Sequence, residues 1–433
     1  MMRSRLVSFA LVILAWHGTC QAGPISLVPG YTLTKVSPDI PPGAAGSLFR
    51  GISQLTFNPG DNSHLYAARS QFEGSSFTGE VTRYDYDATS GALSNPLDVA
   101  TNLAGPQGLA FDRSGNLYVS INRMISQPNG VGGIERLSPT GGGRFGGGVE
   151  FINNIPIGDH LVDQLQIRGN SLYVGIGTKT NTGNPAVESP YNGTISRIAD
   201  LTRADYSAAG ANNLPLASVP TDRQAGKLDL YATGFRNPFG LRVDASGKVS
   251  VTDNGADRPF LTPDYLYTNV PEGAKGLFPP GNGGTFQPLV NLGLDTSATG
   301  FDTIPSGSQT GKLLVALFAQ ASSGSAVMGQ QLVAVDPSNG GITPLVADTA
   351  NPTLFNPLDV IQDPFGRILI ADYGPSTYSF PFYSTADVGV YVLTAVPEPS
   401  TSALWAVGFS IAAAGCLARR ARRDGGSARL AGQ

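Results

Sequence analysis

The stretch Gln107–Val119, QGLAFDRSGNLYV, decides the fold, because an apolar strand, a tight turn and a second strand follow one another within it. The same order returns in Gly240–Val251, GLRVDASGKVSV, and in Asp359–Ile370, DVIQDPFGRILI. Each turn begins with Asp, whose carboxylate can bond the turn backbone, and ends with Gly, which accepts a positive φ at no steric cost. The sequence therefore predicts a repeated β-hairpin.

Further copies of this hairpin lie in Gln54–Ala67, Gln164–Val174 and, less regularly, Lys312–Phe318. The second strands recur at intervals of 52, 55, 77, 64 and 55 residues, counted from Leu65, Leu117, Leu172, Val249, Leu313 and Ile368. Six units of three to four strands predict an all-β fold, a six-bladed β-propeller over residues 23–395. A pair of β-sandwiches is the alternative, which this spacing favours less.

Two further features refine the propeller prediction. Tyr31–Ser37 is expected to add a strand that closes the ring, and the stretches 200–228 and 270–310 are expected to be insertions that shape a pocket. Gly (55 residues) and Pro (32) are abundant, whereas charged residues are only 14% of the chain. This composition suits short strands joined by turns and argues against coiled coils and long surface helices.

The N-terminal segment has the layout of a secretory signal peptide. Arg3 and Arg5 precede the apolar run Leu6–Trp16, and small residues around Ala22 offer a cleavage site before Gly23. Residues 1–22 are therefore predicted to be removed on export. Attachment of lipid at Cys20 is an alternative, although the preceding residues suit it poorly.

The C-terminal segment, residues 396–423, has three parts in a fixed order. Pro397, Glu398 and Pro399 precede the uncharged residues 401–418, and an arginine cluster at 419–423 follows. Residues 401–418 are long enough to form a transmembrane helix, and the cluster would keep residues 424–433 cytoplasmic.

This order resembles the PEP-CTERM sorting segment of Gram-negative bacteria. The resemblance implies recognition of the tripeptide by an exosortase, a transient anchor in the inner membrane, and a final place at the cell surface or in the extracellular matrix. An ordinary membrane anchor is the alternative, and both place the main domain outside the cytoplasm.

The charge of the main domain excludes one class of partner. The whole chain has a formal charge of −4, and the domain between the two terminal segments has −9, because those segments carry +2 and +3. A nucleic-acid-binding role is not expected, since it would need a basic face. Both cysteines, Cys20 and Cys416, lie in the terminal segments, so the mature domain is expected to have no disulfide.

Three places in the domain could carry chemistry. His160, in Gly158–Asp163, stands just before a first blade strand, where a propeller presents side chains to its central pocket, although an exposed loop histidine has the same pattern. Arg236 and Asn237 stand at the head of another inner strand and could bind an anionic ligand. The carboxylates and carbonyls of Asp253–Asp257 could bind a hard cation such as Ca²⁺, or form a solvated turn.

Three segments together resemble the glucose/sorbosone dehydrogenase family: the Asp159-His160 pair, Asn192–Ile198 (NGTISRI) and Gly234–Gly240 (GFRNPFG). These are six-bladed propellers that oxidise aldose sugars with pyrroloquinoline quinone (PQQ) and calcium. The resemblance implies that His160 is the general base, that Asp159 orients it, and that Arg236 polarises the quinone oxygens. It further implies that Asn237 contacts the cofactor and that Gly255, Ala256 and Asp257 lie at the calcium site.

The sequence departs from this family where the cofactor would be held. The family uses a Lys late in blade five and two Arg entering blade six, whereas Leu313–Ser325 contains no Lys and Asn356–Asp359 contains no Arg. Burying the three carboxylates of PQQ without paired cations is costly. Lys275 is a possible substitute. Two further functions therefore stay open: a non-catalytic propeller that binds a glycan or a matrix partner, and a metal-dependent hydrolase or lactonase.

Overall fold

The computed structural model describes residues 25, 26, 28, 30–38, 51–73, 76–126, 129–202, 228–257, 260–318, 331–347, 356–373 and 389–396. These residues contain 25 β-strands and no helix. Two short strands come first, β1 (Ile25–Ser26) and β2 (Tyr31–Lys35). The remaining strands follow in six successive groups, which are the six blades.

Blades one to three are each an antiparallel four-stranded sheet in chain order. Blade one contains β3 (Gly51–Asn58), β4 (Asp61–Glu73), β5 (Ser76–Tyr86) and β6 (Leu93–Leu103). Blade two contains β7 (Leu109–Phe111), β8 (Leu117–Ser126), β9 (Asn129–Gly141) and β10 (Arg144–Ile157). Blade three contains β11 (Val162–Arg168), β12 (Ser171–Ile176), β13 (Thr194–Ile198) and β14 (Leu228–Thr233).

Blades four to six continue the pattern, and the N-terminal strands complete the last two. Blade four contains β15 (Asn237–Val243), β16 (Val249–Asn254), β17 (Pro263–Val270) and β18 (Val290–Leu294). Blade five contains β19 (Ala298–Thr303), β20 (Leu313–Leu317), β21 (Gln331–Val335) and β22 (Ile342–Ala347), with β1 as a fifth strand. Blade six contains β23 (Pro357–Gln362), β24 (Ile368–Asp372) and β25 (Gly389–Ala395), with β2 as its outer strand.

The ring is closed at both its inner and its outer edge. Each first strand contacts the first strand of the next blade, in the cycle β3, β7, β11, β15, β19, β23 and back to β3. At the outer edge β2 pairs with β25 from Tyr31↔Ala395 to Lys35↔Tyr391, so the start of the chain completes the last blade. The six-bladed propeller and the closing strand are thus confirmed, and the sandwich alternative is wrong.

The hairpin turns form by the predicted mechanism. The Asp112 carboxylate accepts the backbone N–H groups of Ser114 and Asn116 at 2.8 and 2.9 Å, and Gly115 has a φ of 79°. Asp244 and Asp363 each accept two backbone N–H groups in the same way. All six marker residues used for the repeat lie in the second strand of a blade.

One expectation about insertions is wrong. The stretch 270–310 contains β18 and β19, the outer strand of blade four and the inner strand of blade five. Both are short, and their Gly, Thr and Asn residues hide the apolar alternation that marks the other strands. Of the stretch 200–228, only 200–202 and Leu228 are among the described residues.

The core lies between the blades. Six clusters of buried apolar side chains each join two neighbouring blades. The cluster that closes the ring packs Leu65 and Ala67 of blade one against Leu369 and Val390 of blade six. Burying such a side chain contributes roughly 1.5–3 kcal/mol, so every blade depends on both neighbours.

Polar side chains cross the middle of the ring. The guanidinium of Arg242 (β15) donates to Asp359 (β23) at 2.9 Å, and Gln164 (β11) donates to the same oxygen at 2.9 Å. The second Asp359 oxygen accepts the backbone N–H of Leu55 (β3) at 2.9 Å. Asp359 is fully buried, and this network ties four inner strands together between the two faces of the propeller.

Candidate functional site

A cavity of about 280 Å³ opens on the face where the inner strands begin. It is shared by blades three to six and is lined by Asp159, His160, Arg236, Asn237, Phe239, Asn254, Gly255, Asp257, Asp264, Asp295, Ser297, Thr299, Phe318 and Leu358. The opposite face, where the inner strands end, has a wider cavity of about 640 Å³ around Arg242 and Asp302. The first cavity collects nearly all the side chains that the sequence indicated.

The entry to blade four is fixed by one buried carboxylate. Asp253, at the end of β16, accepts the backbone N–H groups of Arg236 and Asn237 at 2.9 and 2.8 Å through the same oxygen. Burial raises the pKa of Asp253 to about 7, against the opposing effect of these two donors. The entry to blade six repeats the arrangement, since Asp372 accepts the N–H of Asn356 at 2.9 Å. An Asn-Pro pair lies at the start of both inner strands, Asn237-Pro238 at β15 and Asn356-Pro357 at β23, and the proline nitrogen needs no hydrogen-bond partner there.

The Arg236 side chain is 2% exposed and is enclosed by polar groups. Its Nη2 donates to the Asp257 carboxylate at 2.7 Å and to the Asn181 side-chain oxygen at 2.5 Å. Its Nε donates to the Asn181 carbonyl at 3.1 Å. The charge of Arg236 is thus already paired, and the guanidinium joins the loop after β12 to the loop after β16.

The side chains of His160 and Asn237 both lie against Gly177. A Cβ placed on Gly177 would lie 2.2 Å from the Cβ of His160 and 2.7 Å from the Oδ1 of Asn237. Burial and the nearby Arg236 hold the pKa of His160 well below its ordinary 6.5, so the imidazole is neutral at pH 7. Its Nε2 and the Asn237 Oδ1 are buried and have no hydrogen-bond partner among the described residues.

Asp159 lies beside His160 on the cavity wall but is bonded elsewhere. Its carboxylate accepts the backbone N–H of Asn181 at 2.7 Å. It makes no hydrogen bond with His160. The orienting role that the resemblance implies therefore has no contact to support it here.

The loop after β16 uses its polar groups internally. The N–H of Gly255 donates to Asp264 at 2.6 Å, and the N–H of Ala256 donates to the Thr262 hydroxyl at 2.6 Å. The Ala256 carbonyl, expected near a calcium ion, accepts the N–H of Thr262 at 3.1 Å. No group of three or more His, Cys, Asp or Glu side chains placed to hold a metal ion occurs within the described ranges.

Sequence reasoning missed Asn181 and the crossover between blades four and five. In that crossover Asp295 (φ 59°) and Ser297 (φ 49°) have left-handed backbone and line the cavity. Asp264 braces it by accepting the Thr296 hydroxyl at 2.6 Å and the Ala298 N–H at 3.2 Å. The only signal was the polar run Asp295–Ser297, which fell in the stretch taken for an insertion.

Fold and site together define a six-bladed β-propeller with a small polar cavity at the start of its inner strands. The solved structures that it resembles include sugar dehydrogenases that bind PQQ. The PQQ domain of pyranose dehydrogenase from Coprinopsis cinerea superposes with a TM-score of 0.58 and 14% identity, over 86% of this chain and 97% of that one. The PQQ-bound aldose sugar dehydrogenase from Streptomyces coelicolor gives 0.53 and 16%, over 84% and 98%.

A putative oxidoreductase (glucose dehydrogenase) from a Thermus species gives a TM-score of 0.55 and 17% identity, over 84% of this chain and 100% of that one. No protein-family model and no curated sequence matches the chain significantly. At these identities the structural likeness establishes the fold. The chemistry must be inferred from this chain's own side chains.

Those side chains do not fit PQQ. Among the described residues that line the cavity, Arg236 is the one cation, and it is paired with Asp257, while Asp159, Asp264 and Asp295 add further carboxyl groups. Lys275 does not line the cavity, and its ammonium donates to the Asn282 carbonyl. The segments 319–330, 348–355 and 374–388 contain no Lys or Arg, whereas Arg258, next to Asp257 in the chain, lies outside the described residues. Among the described lining residues, a ligand with three carboxylates would meet acidic groups and no cation that is not already paired.

The predicted signal peptide, the sorting tripeptide Pro397-Glu398-Pro399 and the predicted membrane helix 401–418 lie outside the described residues. Within the described ranges, no helix is long and apolar enough to span a membrane.

Proposed function

We propose that this protein is an exported propeller that binds a hydroxyl-rich ligand, a sugar or the end of a glycan, in the cavity at the start of its inner strands, without PQQ. The observation that carries the proposal is the set of buried polar atoms left without partners. His160 Nε2, Asn237 Oδ1 and Asn254 Oδ1 have none among the described residues. Buried polar atoms of this kind are costly unless a ligand or water satisfies them.

The unpartnered atoms suit hydroxyl groups. Both amide oxygens are acceptors, and a sugar hydroxyl can donate to one group while accepting from another. Phe239 and Phe318 line the same cavity and offer apolar surface to the C–H face of a sugar ring. The volume lies near the lower end of ordinary ligand sites, roughly 300–1,000 Å³, which suits a monosaccharide unit.

A neutral His160 could also act as a base, and the structural neighbours are sugar dehydrogenases. A titration therefore has to separate sugar binding from quinone-dependent oxidation. The purified full chain, in mild detergent, is titrated calorimetrically with a panel of monosaccharides and, separately, with PQQ in excess Ca²⁺. Dye-linked aldose oxidation is assayed on the same sample.

We expect at least one sugar to bind without PQQ, and no turnover. Asn237→Leu removes an unpartnered acceptor and should weaken that sugar at least tenfold. The matched change Gln166→Leu, at the cavity on the opposite face, should leave binding within twofold. Tight PQQ binding with turnover that His160→Ala abolishes would overturn the proposal and establish a dehydrogenase. Loss of sugar binding in Gln166→Leu but not in Asn237→Leu would place the site at the opposite face.

Export and sorting are part of the same proposal and rest on the terminal segments. The mature protein is expected to begin at Gly23 and to end near the Pro397-Glu398-Pro399 tripeptide after an exosortase has acted. Intact-mass measurement of protein from the cell surface and from the inner membrane tests both ends. A surface form that keeps residues 401–418 would favour the ordinary membrane anchor.

A further inference from the structure

The chain leaves the propeller on the face opposite the candidate cavity. β25 is antiparallel to β24, which is itself antiparallel to the inner strand β23. β25 therefore runs in the same direction as β23 and ends on the face where the inner strands end. Val396 follows it directly, and the Val396 N–H donates to the Gly30 carbonyl at 2.7 Å. This bond fixes the exit point at the outer edge of blade six, next to β2.

The connection from this exit to the predicted membrane helix is short, and the step taken here rests on the anchoring described under the proposed function. Four residues, 397–400, separate Val396 from the uncharged residues 401–418. An extended chain spans at most about 3.6 Å per residue, so residue 401 lies within about 18 Å of Val396. The helix cannot lengthen the connection, because its eighteen residues reach about 27 Å and the hydrocarbon core is about 30 Å thick.

This length decides which face of the propeller lies near the bilayer. The headgroups occupy roughly 5–7 Å on each side of the hydrocarbon core, so about 12 Å of the connection is left above them. β25 alone covers about 20 Å along the blade. With the cavity face against the bilayer, Val396 would lie at least that far from the headgroups, beyond the reach of the connection. Only the face where the inner strands end is within reach.

Exposed apolar side chains lie on that face around the exit point. Ile342 at the start of β22, Phe365 in the turn between β23 and β24, and Val396 are 41%, 48% and 44% exposed. Aromatic side chains are favoured at a membrane–water interface. Attraction to anionic lipid is not the basis of the contact, because the exposed Asp87 and Asp336 lie on the same face. The other exposed apolar side chains of this size among the described residues belong to blades three and four at the cavity face: Val187, Phe260 and Leu294.

We propose that, while the anchor is in the bilayer, the propeller stands with the face where its inner strands end against the membrane surface and the candidate sugar cavity opens away from it. The short connection sets this orientation, and the apolar side chains around the exit point meet the headgroups. The cavity is then open to glycans that approach from the surrounding space.

The test measures the distance of each face from the lipid. Cys20→Ala and Cys416→Ala remove the native thiols. Ala245→Cys then places a fluorophore on an exposed turn where the inner strands end, and Ala186→Cys places one on an exposed loop of the cavity face. Each full-length chain is reconstituted into vesicles with acceptor-labelled lipids in both leaflets. Energy transfer from position 245 should be at least twice that from position 186.

Two outcomes separate this inference from the proposed anchoring. Transfer from position 186 that equals or exceeds transfer from position 245, in chains that float with the vesicles, would overturn the orientation and leave the anchor standing. Chains that do not float with the vesicles would overturn both.

A lengthened connection supplies the matched variant. Twenty Gly and Ser residues inserted between Val396 and Pro397 have a typical end-to-end distance of about 25 Å, so either face could then reach the bilayer. This variant should lose at least half of the difference between the two positions. The same insertion after Arg423, beyond the predicted helix, should leave the difference unchanged. A difference that survives the first insertion intact would overturn the argument from the short connection.

Discussion

Asp253→Asn should make the stability of the propeller less dependent on pH. Asp253 is 2% exposed, and burial raises its pKa from 3.8 to about 7. Because the native state holds the proton more tightly than the unfolded state, native stability falls as the pH rises from about 4 through 7. A shift of about three pKa units corresponds to a total loss of about 4 kcal/mol in the free energy of unfolding by pH 8. About 3 kcal/mol of this loss falls between pH 5 and pH 9.

Asparagine keeps the acceptor that caps the Arg236 and Asn237 N–H groups but cannot ionise. Relative to the native chain, the free energy of unfolding of Asp253→Asn should therefore rise by about 3 kcal/mol between pH 5 and pH 9. Urea unfolding, followed by tyrosine fluorescence at several pH values, measures it.

Asp336→Asn is the control for this series. Its carboxylate is exposed, and hydrogen bonds from Ser338 lower its pKa, so it stays ionised throughout the range. Its unfolding profile should run parallel to that of the native chain. A pH-independent difference between Asp253→Asn and the native chain would refute the reasoning, because it would show that Asp253 is already ionised in the fold at pH 5.

Three further changes test other parts of the structure. Gly177→Ala should reduce sugar binding at least tenfold in calorimetry, because its methyl group would displace His160 and Asn237; Gly146→Ala, on an outer hairpin, should not. Arg242→Met should destabilise the propeller by about 3–5 kcal/mol in urea unfolding, because it leaves the buried Asp359 without its partner. Arg123→Met, in an exposed pair with Glu150, should cost less than about 1 kcal/mol; equal effects would contradict the account of the central network. Tyr86→Phe should cost about 1 kcal/mol by thermal unfolding through the lost bond to Asp363, and no change would show that bond to be dispensable.

Much of the fold could be predicted because its signals are local. The Asp-to-Gly turns at Asp112, Asp244 and Asp363 form within five residues, and the apolar strands on either side make each hairpin recognisable. The regular spacing of the hairpins then determined the number of blades. The strands β18 and β19 escaped detection because they lack apolar alternation and depend on pairing with their neighbours.

The candidate site could likewise be predicted only in part. From the sequence, His160, Arg236 and Asn237 were predicted to face the pocket. They lie at the starts of inner strands, and the start of every inner strand opens on one face. The tertiary structure alone decided three features of the site: Arg236 pairs with Asp257, Asp159 bonds to Asn181, and Asp295 lines the cavity. These contacts join residues from different loops, and closing the ring is what brings those loops together.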